Sequence, residues 1–297
     1  MKKHIGELSL TIVAIIWGSG FVASAAALEH YTPYQILAIR FFIGALLLGV
    51  VFFGKLKKIK KSTILKGSVL GIFLYLAFAF QTVGLQYTTP SKNAFLTAVN
   101  VVIVPFIAYF IYKRKMDRFE LFGAILAISG VGAISLKLTA EVNIGDLLTL
   151  ICAVGFAFHI FYTTQFVKDE DPILLTLVQM GTAAVLGFVI VFFKGETSLS
   201  MNPEGVSNVL YLGVFSTSLA FLLQTFAQKY TTETSAAIIL STEAFWGMVF
   251  SIILLSEVIT LKMIIGAILI LFAIVISETK LKFFKKRPVE EPIEEAM

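Results

Sequence analysis

The sequence predicts an all-α integral membrane protein whose ten transmembrane helices form two inverted five-helix repeats. Three observations predict it: an apolar composition, ten hydrophobic runs of membrane-spanning length, and an internal duplication in register. Of 297 residues, 58% are hydrophobic and 14% charged, with a mean hydropathy of +0.89. A soluble domain is roughly half apolar and a quarter charged. A helix of about 20 apolar residues crosses the roughly 30 Å of a bilayer's hydrocarbon. Runs of that kind cover 8–27, 33–53, 67–87, 93–112, 119–137, 145–166, 172–193, 206–228, 233–255 and 260–278. The short connections between them leave no room for a soluble catalytic domain.

The first run follows Lys2 and Lys3 and contains Ala23-Ser24-Ala25, the outline of a secretory leader with its cleavage site. It is read as a span, because nine more follow and it has a counterpart later in the chain. The second opens at Pro33 and carries Arg40. The fourth bears Asn93, Thr97 and Asn100 at i, i+4 and i+7, one helix face. The sixth holds Cys152 and His159; a single cysteine allows no intramolecular disulfide. The eighth presents Gln224 and Gln228 one turn apart, and Glu243 lies near the middle of the ninth. The tail 279–297, basic and then acidic, reads as a disordered cytoplasmic segment.

Charge orients the chain. With the N-terminus in the cytoplasm, nineteen of the 24 Lys and Arg fall on the inner side. Lys92, Lys137, Lys194 and Lys262 fall outside, and Arg40 lies within a span. The positive-inside rule therefore puts both termini in the cytoplasm of a multi-pass cell (plasma) membrane protein. The net charge of +5 reads as attraction to anionic headgroups. It implies the lipid bilayer as partner and no nucleic acid.

The duplication defines the domains, 5–137 and 144–278. At an offset of 143, Leu76-Ala77-Phe78 meets Leu219-Ala220-Phe221, Gln81-Thr82 meets Gln224-Thr225, and Tyr87-Thr88-Thr89 meets Tyr230-Thr231-Thr232. Ala94 meets Ala237, and Gly123-Ala124-Ile125-Leu126 meets Gly266-Ala267-Ile268-Leu269. Upstream the offset is 139: Ile5-Gly6-Glu7-Leu8 falls on Ile144-Gly145-Asp146-Leu147, Pro33 on Pro172, and Lys55 on Lys194. The change of offset falls in a loop, where length is cheap. Five spans per repeat is an odd number, so the second copy enters the membrane from the opposite side. Many secondary transporters are built this way, because two exchangeable halves provide two near-equivalent conformations.

Trp17-Gly18-Ser19 in the first span, Pro33 with Arg40 in the second, and the Tyr87-Thr88-Thr89 corner before Asn93-Ala94 form an ordered set. Thr242-Glu243, Ser256-Glu257 and Gly266-Ala267 continue it in the last two spans. In this pattern the chain resembles the drug/metabolite transporter superfamily, specifically its ten-helix EamA-type members, over residues 5–278. It departs from them at Ala244, often proline there, and at Arg114, often glutamate. The resemblance implies a secondary transporter of amino acids, other metabolites or drugs. The expected function is export of small organic metabolites such as amino acids, by alternating access around a midplane cavity between the repeats. A membrane-embedded enzyme or a channel is the alternative.

Ionisable groups in hydrocarbon cost at least a few kcal/mol and are functional candidates by default. Glu243 and its repeat partner Asn100 are expected to flank the cavity. Helix-to-helix hydrogen bonding of Glu243 is the competing role, and the sequence leaves both open. Candidate substrate-binding residues are Trp17, Gln81, Asn93, Thr97, Asn100, His159, Tyr162, Gln224, Glu243 and Trp246, with Tyr75 and Phe245 as further aromatic options. Glu243 and His159 are the candidates for proton coupling. Arg40, near the outer end of its span, is expected to snorkel to the headgroups, with anion binding as its other role. No catalytic residue, metal ligand or cofactor is expected. Gly18-Ser19-Gly20 has Trp17 where an intramembrane serine protease motif needs glycine, and there is no His-Glu-x-x-His and no phosphate-binding loop. A small-molecule substrate is the remaining partner, and either a monomer or a homodimer suffices.

Overall fold

The computed structural model describes residues 2–113, 118–135, 143–230 and 239–279. The tail after 279, Arg114, Lys137 and the Thr231-Thr232 corner lie outside the described residues. The described chain is helical: α1 (Lys2–Leu28), α2 (Pro33–Val51), α3 (Lys61–Leu85), α4 (Pro90–Ala98), α5 (Asn100–Tyr112) and α6 (Arg118–Ser135) come first. They are followed by α7 (Ile144–Phe166), α8 (Pro172–Phe193), α9 (Pro203–Tyr211), a π-helical segment (Leu212–Leu219), α10 (Ala220–Gln228), α11 (Glu243–Leu255) and α12 (Leu261–Thr279).

Among the described residues seven helices are long and apolar enough to cross a membrane: His4–Leu28, Pro33–Val51, Lys61–Leu85, Pro90–Ile111, Ile144–Phe166, Pro172–Phe193 and Pro203–Gln228. The other three apolar runs are also helical where described, as α6 and the shorter segments Ile239–Leu255 and Leu261–Ile276. Helix is what hydrocarbon demands, because every backbone N–H and C=O must find a partner within its own segment.

The helix starts are written in pairs of residues. Thr32-Pro33, Thr89-Pro90, Asp171-Pro172 and Asn202-Pro203 each combine a capping side chain with a proline at the first helical position. The cap accepts from an orphan N–H, and the proline's missing N–H costs nothing there. Among the described residues two helix ends use a left-handed residue other than glycine, Lys113 (φ 54°) and Ser256 (φ 53°), which lie 143 positions apart. Two helices break for a single residue, at Val99 and at Thr242, again 143 apart.

Contacts join loops and helix ends at each end of the bundle. At one end Lys55 pairs with Asp171 at 2.9 Å, and Lys66 pairs with Asp169 at 3.3 Å and with Glu170 at 3.2 Å. The Thr63 hydroxyl also donates to Glu170. At the other end Gln35 donates to the carbonyls of Glu196 and Ser198, Thr88 donates to Asp146, and Ser91 donates to Glu257.

Packing between helices relies on small residues. A Cβ on Gly71 of α3 would lie 2.6 Å from the Gln179 carbonyl of α8, and one on Gly187 of α8 would lie 2.7 Å from the Ala38 Cα of α2. On α6 and α12, a Cβ on Gly130 or Gly266 would lie 2.8 or 2.7 Å from the other's carbonyl oxygen. Close backbone approach of this kind drives association where lipid tails are as apolar as the side chains. The outward faces carry Leu46, Val50, Phe110, Ile128, Phe192 and Ile253, all exposed. Exposure on that scale suits lipid, not water.

Gly71→Ala should lower stability by about 1–3 kcal/mol, since backbone lies in the way. Gly181→Ala, with nothing within 4 Å of the added carbon, should be neutral or slightly stabilising through helix propensity. Thermal unfolding of the two variants in detergent checks the contrast. Thr63 foremost, and then Ser62 and Lys66, hold the Glu170 carboxyl below its ordinary value of 4.5. A depressed carboxylate contributes stability above the unfolded pKa and loses it as pH falls through the folded one. Melting temperature should therefore fall more steeply below pH 4.5 in the wild type than in Glu170→Gln, and parallel pH–melting curves would refute this.

Candidate functional site

A cavity lies inside the bundle between α1, α2, α3, α4, α5, α7, the π segment, α10 and α11. The centres of water-sized molecules have ≈ 50 Å³ in it, several times the roughly 10–15 Å³ one buried water needs. Its walls come largely in repeat pairs. Trp17 and Phe156, Gly20 and His159, and Phe21 and Ile160 are 139 apart; Phe78 and Phe221, Gln81 and Gln224, Thr97 and Leu240, and Asn100 and Glu243 are 143 apart.

The helix breaks explain how two of these pairs reach the cavity. Val99 and Thr242 interrupt their helices, and Asn100 and Glu243 are the first residues beyond. Pro105 further along α5 lacks an N–H and crowds the preceding turn. Gln81 Nε2 donates to Thr97 Oγ1 at 3.0 Å, tying α3 to α4. The Asn100 Oδ1 and Gln224 Oε1 atoms are buried with no hydrogen-bond partner. Glu243 is 7% exposed and meets no hydrogen-bonding or ion-pair partner among the described residues. His159, 1% exposed, lies with Nε2 2.8 Å from Gln179 Oε1. With the proton on Nε2 the imidazole donates to the amide oxygen and Nδ1 remains an acceptor.

Seven of the ten candidate residues therefore meet at one cavity: Trp17, Gln81, Thr97, Asn100, His159, Gln224 and Glu243. Three do not. Asn93 donates to the Gln81 carbonyl at 3.2 Å and to Thr149 at 2.9 Å, so it ties α4 to α3 and α7. Tyr162 stacks on Phe73 and Phe166, away from the cavity. Trp246 packs over Gly18 and against Phe245 and Phe250. Tyr75 and Phe245 are off the cavity as well. The aromatic wall is instead Trp17, Phe21, Phe78, Phe156 and Phe221, with Phe78 against Phe156 at 4.9 Å and Trp17 against Phe221 at 5.0 Å.

Arg40 corrects the expectation most clearly. It does not snorkel; it is 2% exposed and lines the cavity. Its Nε donates to Thr217 Oγ1 at 2.9 Å and its Nη2 to Ser216 Oγ at 3.3 Å, with the guanidinium carbon 4.3 Å from the Phe78 ring centroid. The reason is the π-helical segment, whose wider turn brings the neighbouring hydroxyls of Ser216 and Thr217 to the same side chain. π-bulges recur at functional sites. Trp17 Nε1 donates to the Ser216 carbonyl at 3.0 Å, holding the segment against α1. Among the described residues no group of three His, Cys, Asp or Glu is placed to hold a metal ion.

Known proteins resemble the chain along nearly its whole length. The sequence profile of the EamA-like transporter family matches twice, over residues 4–136 and 143–279. An uncharacterized transporter of Archaeoglobus fulgidus is 34% identical over 93% of this chain and 86% of its own length. The uncharacterized transporters YoaV and YvbV of Bacillus subtilis are 25% and 26% identical over 91% and 95% of this chain, and each is covered over 94% of its length. A solved crystal structure, 14% identical, superposes with a TM-score of 0.65 over 93% of this chain and 98% of its own, a likeness of fold. With its apolar helices, the chain is thus a multi-pass membrane protein that belongs to the EamA-like transporter family.

Proposed function

We propose that the protein is a secondary transporter that exports small organic metabolites such as amino acids, by alternating access between two inverted halves, 5–137 and 144–278. The observation that carries the reading is the cavity wall made of repeat pairs, because a site shared by both halves can be exposed to either side as they rock. The twofold match of the family profile, the breaks at Val99 and Thr242 and the left-handed ends at Lys113 and Ser256 support the same duplication. Transporters of this design use broken helices at the midplane, and Asn100 and Glu243 begin the half-helices here.

The lysine-rich end that holds Lys55 and Lys66 is the cytoplasmic one under the positive-inside rule. The opposite end is closed by the α3–α4 corner against α7, where Asn143 donates to the Tyr87 carbonyl and Thr88 to Asp146. Release to the outside requires these contacts to open. An unpaired carboxyl inside the bundle is costly when charged, and Glu243 is the group that a proton or a substrate ammonium would neutralise. His159 is the second candidate for carrying a proton.

Reconstitution into liposomes with a panel of common amino acids tests the reading. Saturable flux with counterflow is expected; unsaturated flux would mean a channel, and chemical turnover without flux an enzyme. Glu243→Gln should slow transport by about tenfold or more, equivalent to about 1.4 kcal/mol of barrier, and remove the response to an imposed pH gradient. Normal transport by Glu243→Gln at every pH would end its functional role.

A further inference from the structure

Arg40 is a buried cation that no anion among the described residues pairs with. Among the described residues every carboxylate found in an ion pair belongs to a loop or a helix end, and none pairs with Arg40. Its partners are two neutral hydroxyls and the ring faces of Phe78 and Phe41, which orient the guanidinium without cancelling its charge. A guanidinium carries five N–H donors, and two point at Thr217 and Ser216. The others are left for an acceptor, and the side chain borders the cavity. Leaving a buried charge uncompensated costs several kcal/mol, so a site that holds one is built around a charge supplied from elsewhere.

Resting on the transport reading of the same cavity, we infer that Arg40 is the subsite that anchors a substrate monocarboxylate, and that it sets the specificity of the cavity for acids over their uncharged analogues. A carboxylate meets the guanidinium with two parallel hydrogen bonds. The rings of Phe78, Phe156, Phe221 and Trp17 border the same cavity and suit an apolar remainder. The charge is limited to one, because Glu243 borders the cavity too and opposes a dianion. The unpaired acceptors Asn100 Oδ1 and Gln224 Oε1 match donor groups on the same ligand. Ser216 and Thr217 are positioning residues, acting through Arg40.

Phenylacetate and phenylacetamide are near-identical in shape and differ in the charge of the head, which makes them the probes. Their effect is read on the purified full chain in detergent, by thermal unfolding and by the fluorescence of Trp17 in a Trp246→Phe background, which leaves one tryptophan. Phenylacetate should raise the melting temperature and change the Trp17 emission with at least tenfold tighter apparent affinity than the amide. Arg40→Gln should abolish that preference, and Arg40→Lys, which keeps the charge and loses the fork, should retain part of it. Equal effects of acid and amide on the wild type, including no effect of either, overturn the proposal, and so does a preference that survives in Arg40→Gln. A larger shift with phenylphosphonate than with phenylacetate overturns it as well. If Arg40→Gln does not fold, the wild-type comparison decides alone. An acid preference without saturable flux in liposomes would remove the transport reading and leave the Arg40 subsite standing.

Discussion

In hydrocarbon a polar group has no water to turn to, and each must be satisfied by the chain itself or by what the chain binds. The architecture follows from that constraint. Backbone groups are closed into helices, and helix starts are capped by Thr32, Thr89, Asn143, Asp171 and Asn202. Ion pairs such as Lys55–Asp171 stay at the ends of the bundle. Polar side chains that remain inside are drawn together: Asn93 joins Thr149, His159 joins Gln179, and Gln81 joins Thr97. Other buried polar atoms keep no partner: Asn93 Oδ1, Gln179 Nε2 and Gln228 Oε1 lie off the cavity, while Asn100 Oδ1 and Gln224 Oε1 border it beside Arg40 and Glu243.

That concentration explains which parts of the molecule could be read from the sequence. Helix positions follow from run length, because a span has one solvent and needs no alternation of polar and apolar faces. Starts follow from Thr-Pro, Asp-Pro and Asn-Pro pairs, whose capping chemistry is local. The Asn100 and Glu243 pair was legible through the duplication, since a shared offset carries spatial information that neither residue holds alone. Asn93 lies on the same face as Thr97 and is consumed by Thr149, a partner 56 positions away; helical spacing reports a face and not what the face meets.

Other features had no signal of their own. Phe78, Phe156 and Phe221 form the wall, but 28 phenylalanines make each one unremarkable by composition. Arg40 lies near enough to its helix end to reach either headgroups or the interior, and the choice is made by Ser216 and Thr217 on another helix. Their presentation depends on the π-helical stretch Leu212–Leu219, which has no proline or glycine pair to announce it. The relevant trace is indirect: a cation inside a span, with no carboxylate on a facing position of its own helix, needs a partner from elsewhere.

The duplication also constrains how the proposed rocking could work. α2 packs along α8 and α6 along α12, and in each case an element meets its own repeat counterpart. Such seams map onto themselves when the halves exchange roles, so they can persist in both conformations. Contacts of α3 with α7 and of α1 with α10 are different, because each maps onto the other. Rocking would lengthen one as it tightens the other, with little net change in buried apolar area. The pairs along the cavity wall are equal in sequence position and only partly equal in chemistry: Phe78 and Gln81 recur as Phe221 and Gln224, whereas Gly20 corresponds to His159 and Asn100 to Glu243, and Arg40 corresponds to Gln179, which lies off the cavity. In the proposed cycle a symmetric scaffold would keep the two states close in energy and an asymmetric lining would hold a ligand in one orientation, so that the difference in affinity between states would be set by these few unequal side chains rather than by the helices that carry them.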